Sequence, residues 1–196
     1  MSLGLPANLQ GVSILDVGAY EGFYSIQMEQ RGALVTANDH FVWNWPGDNS
    51  RSNLELAMEI TSSKISILEA DLDSLPIRKH DVTLFLGVLY HLEDQIGALR
   101  RIRETATSVI VLETLVDNLH ANGASLKYYP GMSLNNDSSN QFGPNLDALA
   151  GLIKAAGFRN YEFKGIWELN PVANHATLDA PLSPLTSGRV VFWLYP

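Results

Sequence analysis

Cysteine is missing altogether from the 196 residues. Its absence excludes disulfides, a thiolate nucleophile and any zinc site built on sulfur, and it suits the reducing cytoplasm. No apolar run reaches the roughly 18 residues that a membrane-spanning helix needs. The N-terminus carries no charged head followed by a long apolar stretch, so no secretion signal is read. The five histidines, at positions 40, 80, 91, 120 and 175, show no ligand spacing, so no metal site is expected. Positive charge is also in short supply: 13 Lys and Arg against 21 Asp and Glu leave a net charge of −8. That balance argues against broad attraction to nucleic acid or an anionic membrane, while leaving room for a local basic patch. Apolar surface is plentiful, at 46% of residues, which is enough for the core of one domain spanning residues 1–196.

Short apolar runs alternate with amphipathic stretches. Strands are expected at Val12–Val17, Ala33–Asn38, Ile65–Glu69, Val82–Gly87 and Ser108–Glu113. Between them, Phe23–Arg31, Asn53–Thr61 and Asp94–Thr105 have helical periodicity, the first with Phe23 and Ile26 inward and Gly32 as its stop, the second with Leu54, Ala57, Met58 and Ile60 on its apolar side. Alternating strands and helices predict a parallel sheet covered on both faces. Residues 117–144 carry Asn, Ser, Gly, Pro and Tyr without clear periodicity, and loops of that length are usually functional. A helix follows over Asn145–Ala156, with Asn145 as N-cap and Gly157 as stop. Two last strands, Tyr161–Ile166 and Arg189–Leu194, flank the Pro-rich segment 171–184.

The stretch ILDVGAYEGFYS, residues 14–25, runs from a strand through a glycine turn into a helix. That layout builds nucleotide-type sites in open parallel sheets. Where a dinucleotide fingerprint needs its middle glycine, this chain has Tyr20, so a pyrophosphate is not expected. Asp16 interrupts the apolar strand, and a carboxylate there is costly unless it is paired. The alternative is a tight turn with an acid at the strand end. The pattern D-x-G-x-x-x-G resembles the first motif of class I S-adenosylmethionine (SAM)-dependent methyltransferases. In that family the glycine turn packs on the methionine part of the cofactor, and the strand acid receives hydrogen bonds near its amino group. The resemblance implies cofactor contacts from Asp16, Gly18, Ala19, Tyr20, Gly22 and Phe23. ALVTANDH ends the second strand with Asp39, placed to accept from a ribose diol, with His40 beside the adenine; the alternative for Asp39 is a turn or helix cap. SILEADLDSLP ends the third with Ala70, Asp71 and Leu72, where the family meets the adenine edge.

DVTLFLGVLYHLED (81–94), VLETLV (111–116), YYPGMSLNNDSSNQFGPN (128–145) and LIKAAGF (152–158) are similar to a subfamily related to the bacterial enzymes that modify the wobble uridine of tRNA. Those enzymes transfer a carboxymethyl group from carboxy-SAM. The resemblance implies a Rossmann-like seven-stranded sheet in the order 3-2-1-4-5-7-6, its last strand, Arg189–Leu194, inserted antiparallel. It adds Gly87 and Val88 to the cofactor contacts. In the tRNA enzymes a tyrosine of the Y-H pair and an arginine of the last strand hold the extra carboxylate, and Tyr90 and Arg189 fall at those places. Eleven residues precede the first expected strand, where the tRNA enzymes have a long N-terminal extension that helps close the site. The expectation is a domain without that lid, its open flank covered by a second copy of the chain, using plain SAM on a small, sugar-like acceptor; the alternatives are a tRNA wobble-uridine carboxymethyltransferase using carboxy-SAM, and a cofactor-binding module that is catalytically silent or works with a partner.

Ligands gather at the carboxyl ends of such strands. His91 and Glu113 are candidate proton acceptors there, and Tyr90 a candidate hydroxyl donor. The alternatives are a helix cap for His91, core packing for Tyr90 and a solvated strand end for Glu113. Tyr128, Asn136 and Asn140 place amides between aromatics, a composition that fits a small polar acceptor or simply a loop. Arg189 is expected near the acceptor pocket.

Overall fold

Strands apolar on both faces need cover on both sides. The computed structural model, which describes residues 3–168 and 186–196, has that arrangement. Its strands are β1 (Ser13–Val17), β2 (Leu34–Asp39), β3 (Ser66–Glu69), β4 (His80–Leu86), β5 (Ala106–Val116), β6 (Leu126–Tyr128), β7 (Phe142–Pro144), β8 (Asn160–Glu168) and β9 (Gly188–Tyr195). Its helices are α1 (Phe23–Glu29), α2 (Ser50–Thr61), α3 (Gln95–Arg103) and α4 (Leu146–Ala155), with one 3-10 turn at Leu89–His91. The main sheet has the order β3-β2-β1-β4-β5-β9-β8. β9 runs antiparallel to both neighbours. This is the expected 3-2-1-4-5-7-6 arrangement. The labels of the last two strands shift because β6 and β7 form a hairpin inside the stretch read as a loop. The Pro-rich segment 171–184 lies outside the described residues.

Side-chain alternation divides the core in two. Leu15, Val17, Phe85, Ile110 and Leu112 face α3 and α4, packing with Leu99, Ile102, Leu149 and Ile153. Ile14, Leu84, Val111 and Val191 face the other way, onto Met28 and Leu54 of α1 and α2. Asp16, Glu113 and Arg189 share strand parity with this second set and stand on the α1 side of the sheet.

The caps follow the sequence at α4. Asn145 Oδ1 accepts from the Ala148 N–H at 2.9 Å, and Gly157 takes φ +94° past the end. At α3 the cap is Asp94, whose Oδ1 accepts from the Gly97 N–H at 2.8 Å, so His91 does not cap that helix. Two apolar readings are corrected. Phe23 is 67% and Ile60 75% exposed. In α1 the seven-residue helix buries Ser25 and Met28 instead, which turns Phe23 outward beside the glycine turn.

Candidate active site

The turn after β1 reverses the chain with left-handed residues at alternate positions: Gly18 at φ +77°, Tyr20 at +53° and Gly22 at +75°. Only glycine adopts that region without strain, so Tyr20 needs support. Its N–H donates to Asp39 Oδ2 (3.1 Å) and its carbonyl accepts from Trp43 Nε1 (2.8 Å). A Cβ on Gly18 would lie 2.3 Å from Val88 Cγ2, so the turn packs directly against the chain leaving β4.

Beside this turn, at the carboxyl ends of β1, β4 and β5, lies a cavity of about 490 Å³. Asp16, Gly18, Tyr20 and Phe23 wall one side, and Gly87, Glu113, Trp167 and Arg189 the other. Asp16 is buried, and its Oδ2 accepts from the Ser25 hydroxyl at 2.6 Å. Burial pushes its carboxyl up to about 6, against the pull of the Ser25 hydrogen bond and with help from nearby Asp39. A buried carboxylate held at such cost, with hydrogen bonds from Ser25 and no ion pair among the described residues, fits a site for a cationic group.

Across the cavity, Arg189 donates through both Nε and Nη2 to the two carboxylate oxygens of Glu113. The glutamate side chain is 2% and the arginine 25% exposed. Burial lowers the guanidinium pKa, but Glu113 outweighs it and raises the net value, so the arginine stays charged. Arg189 does line the cavity, as expected, and the pair bears on the roles of both residues. Glu113 is the counter-ion of Arg189, with both oxygens engaged, rather than a proton acceptor. Arg189 is matched in charge rather than open to an anionic group. Its guanidinium stands 4.8 Å over the Tyr90 ring, and a Cβ on Gly87 would come within 3.2 Å of its Nη2. Tyr90 in turn lies 4.2 Å, centroid to centroid, from the ring of His91.

The other sequence candidates are placed more widely. Ala19 also lines the cavity. Asp39 serves the turn, accepting from the N–H groups of Tyr20 and Val42, and burial raises its pKa against those bonds. His40 is exposed and bound to Asn44, while the Ala70 carbonyl accepts from Asn38 Nδ2. Asp71 and Leu72 border a second cavity against α3. The reason is Arg101, which donates to the carbonyls of Leu72 and Leu75 and draws that loop toward α3. Tyr128 packs on Phe142, Asn136 occupies a left-handed turn position, and buried Asn140 spends its amide on the Leu134 carbonyl. None of these three lines the Asp16 cavity. Four lining residues escaped the sequence reading: Glu21, Tyr24, Leu86 and Trp167. Tyr24 was within reach, since it sits in the quoted motif next to Phe23. Among the described residues no group of His, Asp and Glu converges as a metal site, and no helix is long and apolar enough to cross a membrane.

The fold matches solved structures over nearly the whole chain. The N-terminal domain of EvdMO1, in the presence of SAH and D-fucose, aligns with TM-score 0.66 at 17% identity, over 96% of this chain and 78% of that one. This is the class I methyltransferase fold. A SAM-dependent methyltransferase from Mesorhizobium loti aligns with TM-score 0.62 at 16% identity, over 96% and 93% of the two chains. Magnesium protoporphyrin IX methyltransferase from Synechocystis, with bound SAM, aligns with TM-score 0.60 at 16% identity, over 96% and 76%. By sequence, the chain is 24% identical to the tRNA U34 carboxymethyltransferase of Campylobacter hominis, over 81% of this chain and 54% of that protein. It is 24% identical to the protein of the same name from Campylobacter curvus, over 79% and 51%. The chain thus spans about half the length of these curated relatives. No protein-family model matches it.

Proposed function

We propose that this chain binds SAM in the Asp16 cavity and transfers its methyl group to an oxygen or nitrogen of a small polar acceptor. The carrying observation is the buried Asp16 carboxylate beside the Gly18–Gly22 turn, with its pKa raised to about 6 and no ion pair to it among the described residues. Cavity charge supports the reading. Arg189 is neutralised by Glu113, while Asp16 and Glu21 remain, so the lining is net negative. Tyr20, Phe23, Tyr24 and Trp167 add aromatic surface, which favours a cation. Bound there, SAM supplies a methyl group on a sulfonium and departs as a neutral thioether.

The chain's part is to position, exclude water and move one proton. Asp16 would hold the cofactor's ammonium, with Tyr20 and Phe23 lining the same cavity. The acceptor atom loses its proton as the new bond to the methyl carbon forms; His91, which lies against Tyr90 and outside the cavity lining, is the group this reading assigns to take it. Burial is the largest influence on His91 and lowers its pKa, with Arg189 adding to this against Ser139 and Asp137, so the imidazole is neutral at pH 7.

Asp39 also belongs to the cofactor end, through its support of Tyr20 and its remaining acceptor sites. Asp39→Ala is expected to weaken SAH binding at least tenfold, since each unmet hydrogen bond costs about 1–3 kcal/mol. Calorimetric titration checks it, and equal affinities would remove Asp39 from the cofactor site.

The names of the Campylobacter relatives favour a second reading, carboxymethyl transfer to tRNA. The matched charge of Arg189 and the net charge of −8 weigh against it. Methyl-labelled SAM incubated with the protein and cell extract separates the two. Label is expected in the small-molecule fraction; label confined to RNA would overturn the acceptor class.

A further inference from the structure

His91 is reached from outside its own turn. The loop between β6 and β7 docks on it through the Gln141 N–H, which donates to the Tyr90 carbonyl at 2.9 Å. Ser139 Oγ then lies 3.0 Å from His91 Nδ1 and 2.6 Å from Asp137 Oδ1. The Ser139 N–H also donates to Asp137 Oδ1, at 2.8 Å.

Counting protons settles the direction of this chain. Partial burial pushes the Asp137 carboxyl up, but the bonds from Ser139 and the nearness of His91 outweigh it and hold the pKa below the ordinary carboxylate value. Asp137 is therefore ionised at neutral pH and can only accept. The serine has one hydroxyl proton, and the carboxylate takes it. Ser139 Oγ must then accept from His91, which puts the imidazole proton on Nδ1. The charged groups facing the ring are Asp137 from the loop and Arg189 from β9.

We propose that Ser139 and Asp137 are positioning residues that fix His91 in the Nδ1–H form and leave Nε2 as its proton-accepting atom. The inference rests on the reading of His91 as the proton acceptor, and it gives the long loop a chemical task. A serine between the acid and the imidazole sets the tautomer as a directly bonded carboxylate does elsewhere. It also ties the loop's seating to that tautomer, because the Gln141–Tyr90 and Ser139–His91 bonds hold the same loop.

The test is a long-range 1H–15N correlation spectrum of the 15N-labelled full chain at pH 8, with His91→Asn identifying the His91 signals. The expected pattern is a protonated Nδ1 and an unprotonated Nε2 in the unmodified protein. Ser139→Ala and Asp137→Asn should each move His91 toward a mixture of tautomers, and Ser139→Thr should keep the original pattern. A proton on Nε2 in the unmodified protein would overturn the proposal. So would a pattern that Ser139→Ala leaves unchanged. Should Ser139→Ala fail to fold, the unmodified spectrum still decides. SAH titration of the same samples is a separate readout. A protein with the expected tautomer that binds no SAH keeps this inference and loses the functional reading.

Discussion

Asp16→Asn is expected to make the protein more stable at pH 7 and to weaken SAH binding roughly ten- to hundredfold. Both effects come from one buried carboxylate. Its pKa is raised from 3.8 to about 6 by burial, with only the Ser25 hydroxyl and N–H lowering it. For an acid with a raised folded pKa, the native state holds the proton more tightly than the unfolded chain. Stability therefore falls as pH rises from about 4 to about 6 and stays lower above that window. The shift corresponds to roughly 3 kcal/mol. Asparagine removes the charge and still offers Ser25 an acceptor. Part of that gain returns to the asparagine amide, which needs a partner of its own, so a rise of several degrees in melting temperature is expected at pH 7, vanishing near pH 4. The same change removes the charge-assisted contact to the ligand's ammonium, worth about 1.5–3 kcal/mol, or some ten- to hundredfold in affinity. In the unmodified protein SAH affinity should fall about tenfold per pH unit below 6 as Asp16 takes up its proton. Thermal melts across pH 4–8 with parallel titrations measure all of this. A variant that is less stable at pH 7, or that binds SAH normally, contradicts the account.

Glu113→Gln is expected to cost stability and to change which cofactor the cavity prefers. The substitution leaves Arg189 largely buried with no counter-charge, a kind of defect that costs about 3–5 kcal/mol in a closed site and less here, because the arginine is 25% exposed. Removing both partners with Glu113→Gln and Arg189→Leu should recover much of the loss, since no lone charge remains. In competition, the unmodified protein should favour plain SAM over carboxy-SAM. The freed arginine of Glu113→Gln should move that ratio at least tenfold toward the carboxylated form, and the double variant should move it back. A tenfold preference for carboxy-SAM in the unmodified protein would show that the Glu113–Arg189 pair opens to admit a carboxylate, and carboxymethyl transfer would return as the better reading.

The sheet was legible because its strands are short apolar runs buried on both faces and its helices carry single apolar stripes. The order followed from the family resemblance, and Asn145 and Gly157 marked the ends of α4 by their own chemistry. Trp167 was not legible: the expected strand Tyr161–Ile166 stops one residue short of it, while β8 runs on to Glu168. Register slips on β8 between Phe163 and Gly165, where Gly165 has φ +155°, so counting alternate residues from the strand start misplaces the side chains beyond it. The β6–β7 hairpin is three residues a side and is stapled by Asp117, which accepts from Lys127 and Tyr129. No periodicity can announce a strand that short. Glu113 and Arg189 were both singled out from the sequence, yet their pairing depends on β9 lying antiparallel against β5, a contact across 76 residues. Likewise the Ser139–His91 bond is a consequence of loop docking, and nothing local to either residue signals it.

Calorimetric titration of SAH into the full chain at pH 7.5, beside the Asp16→Asn variant, tests the central claim most directly. The account predicts saturable one-to-one binding by the unmodified protein and a loss of at least tenfold in the variant. A folded protein that binds no SAH at millimolar concentration, or binds it equally well without the Asp16 carboxylate, would contradict it.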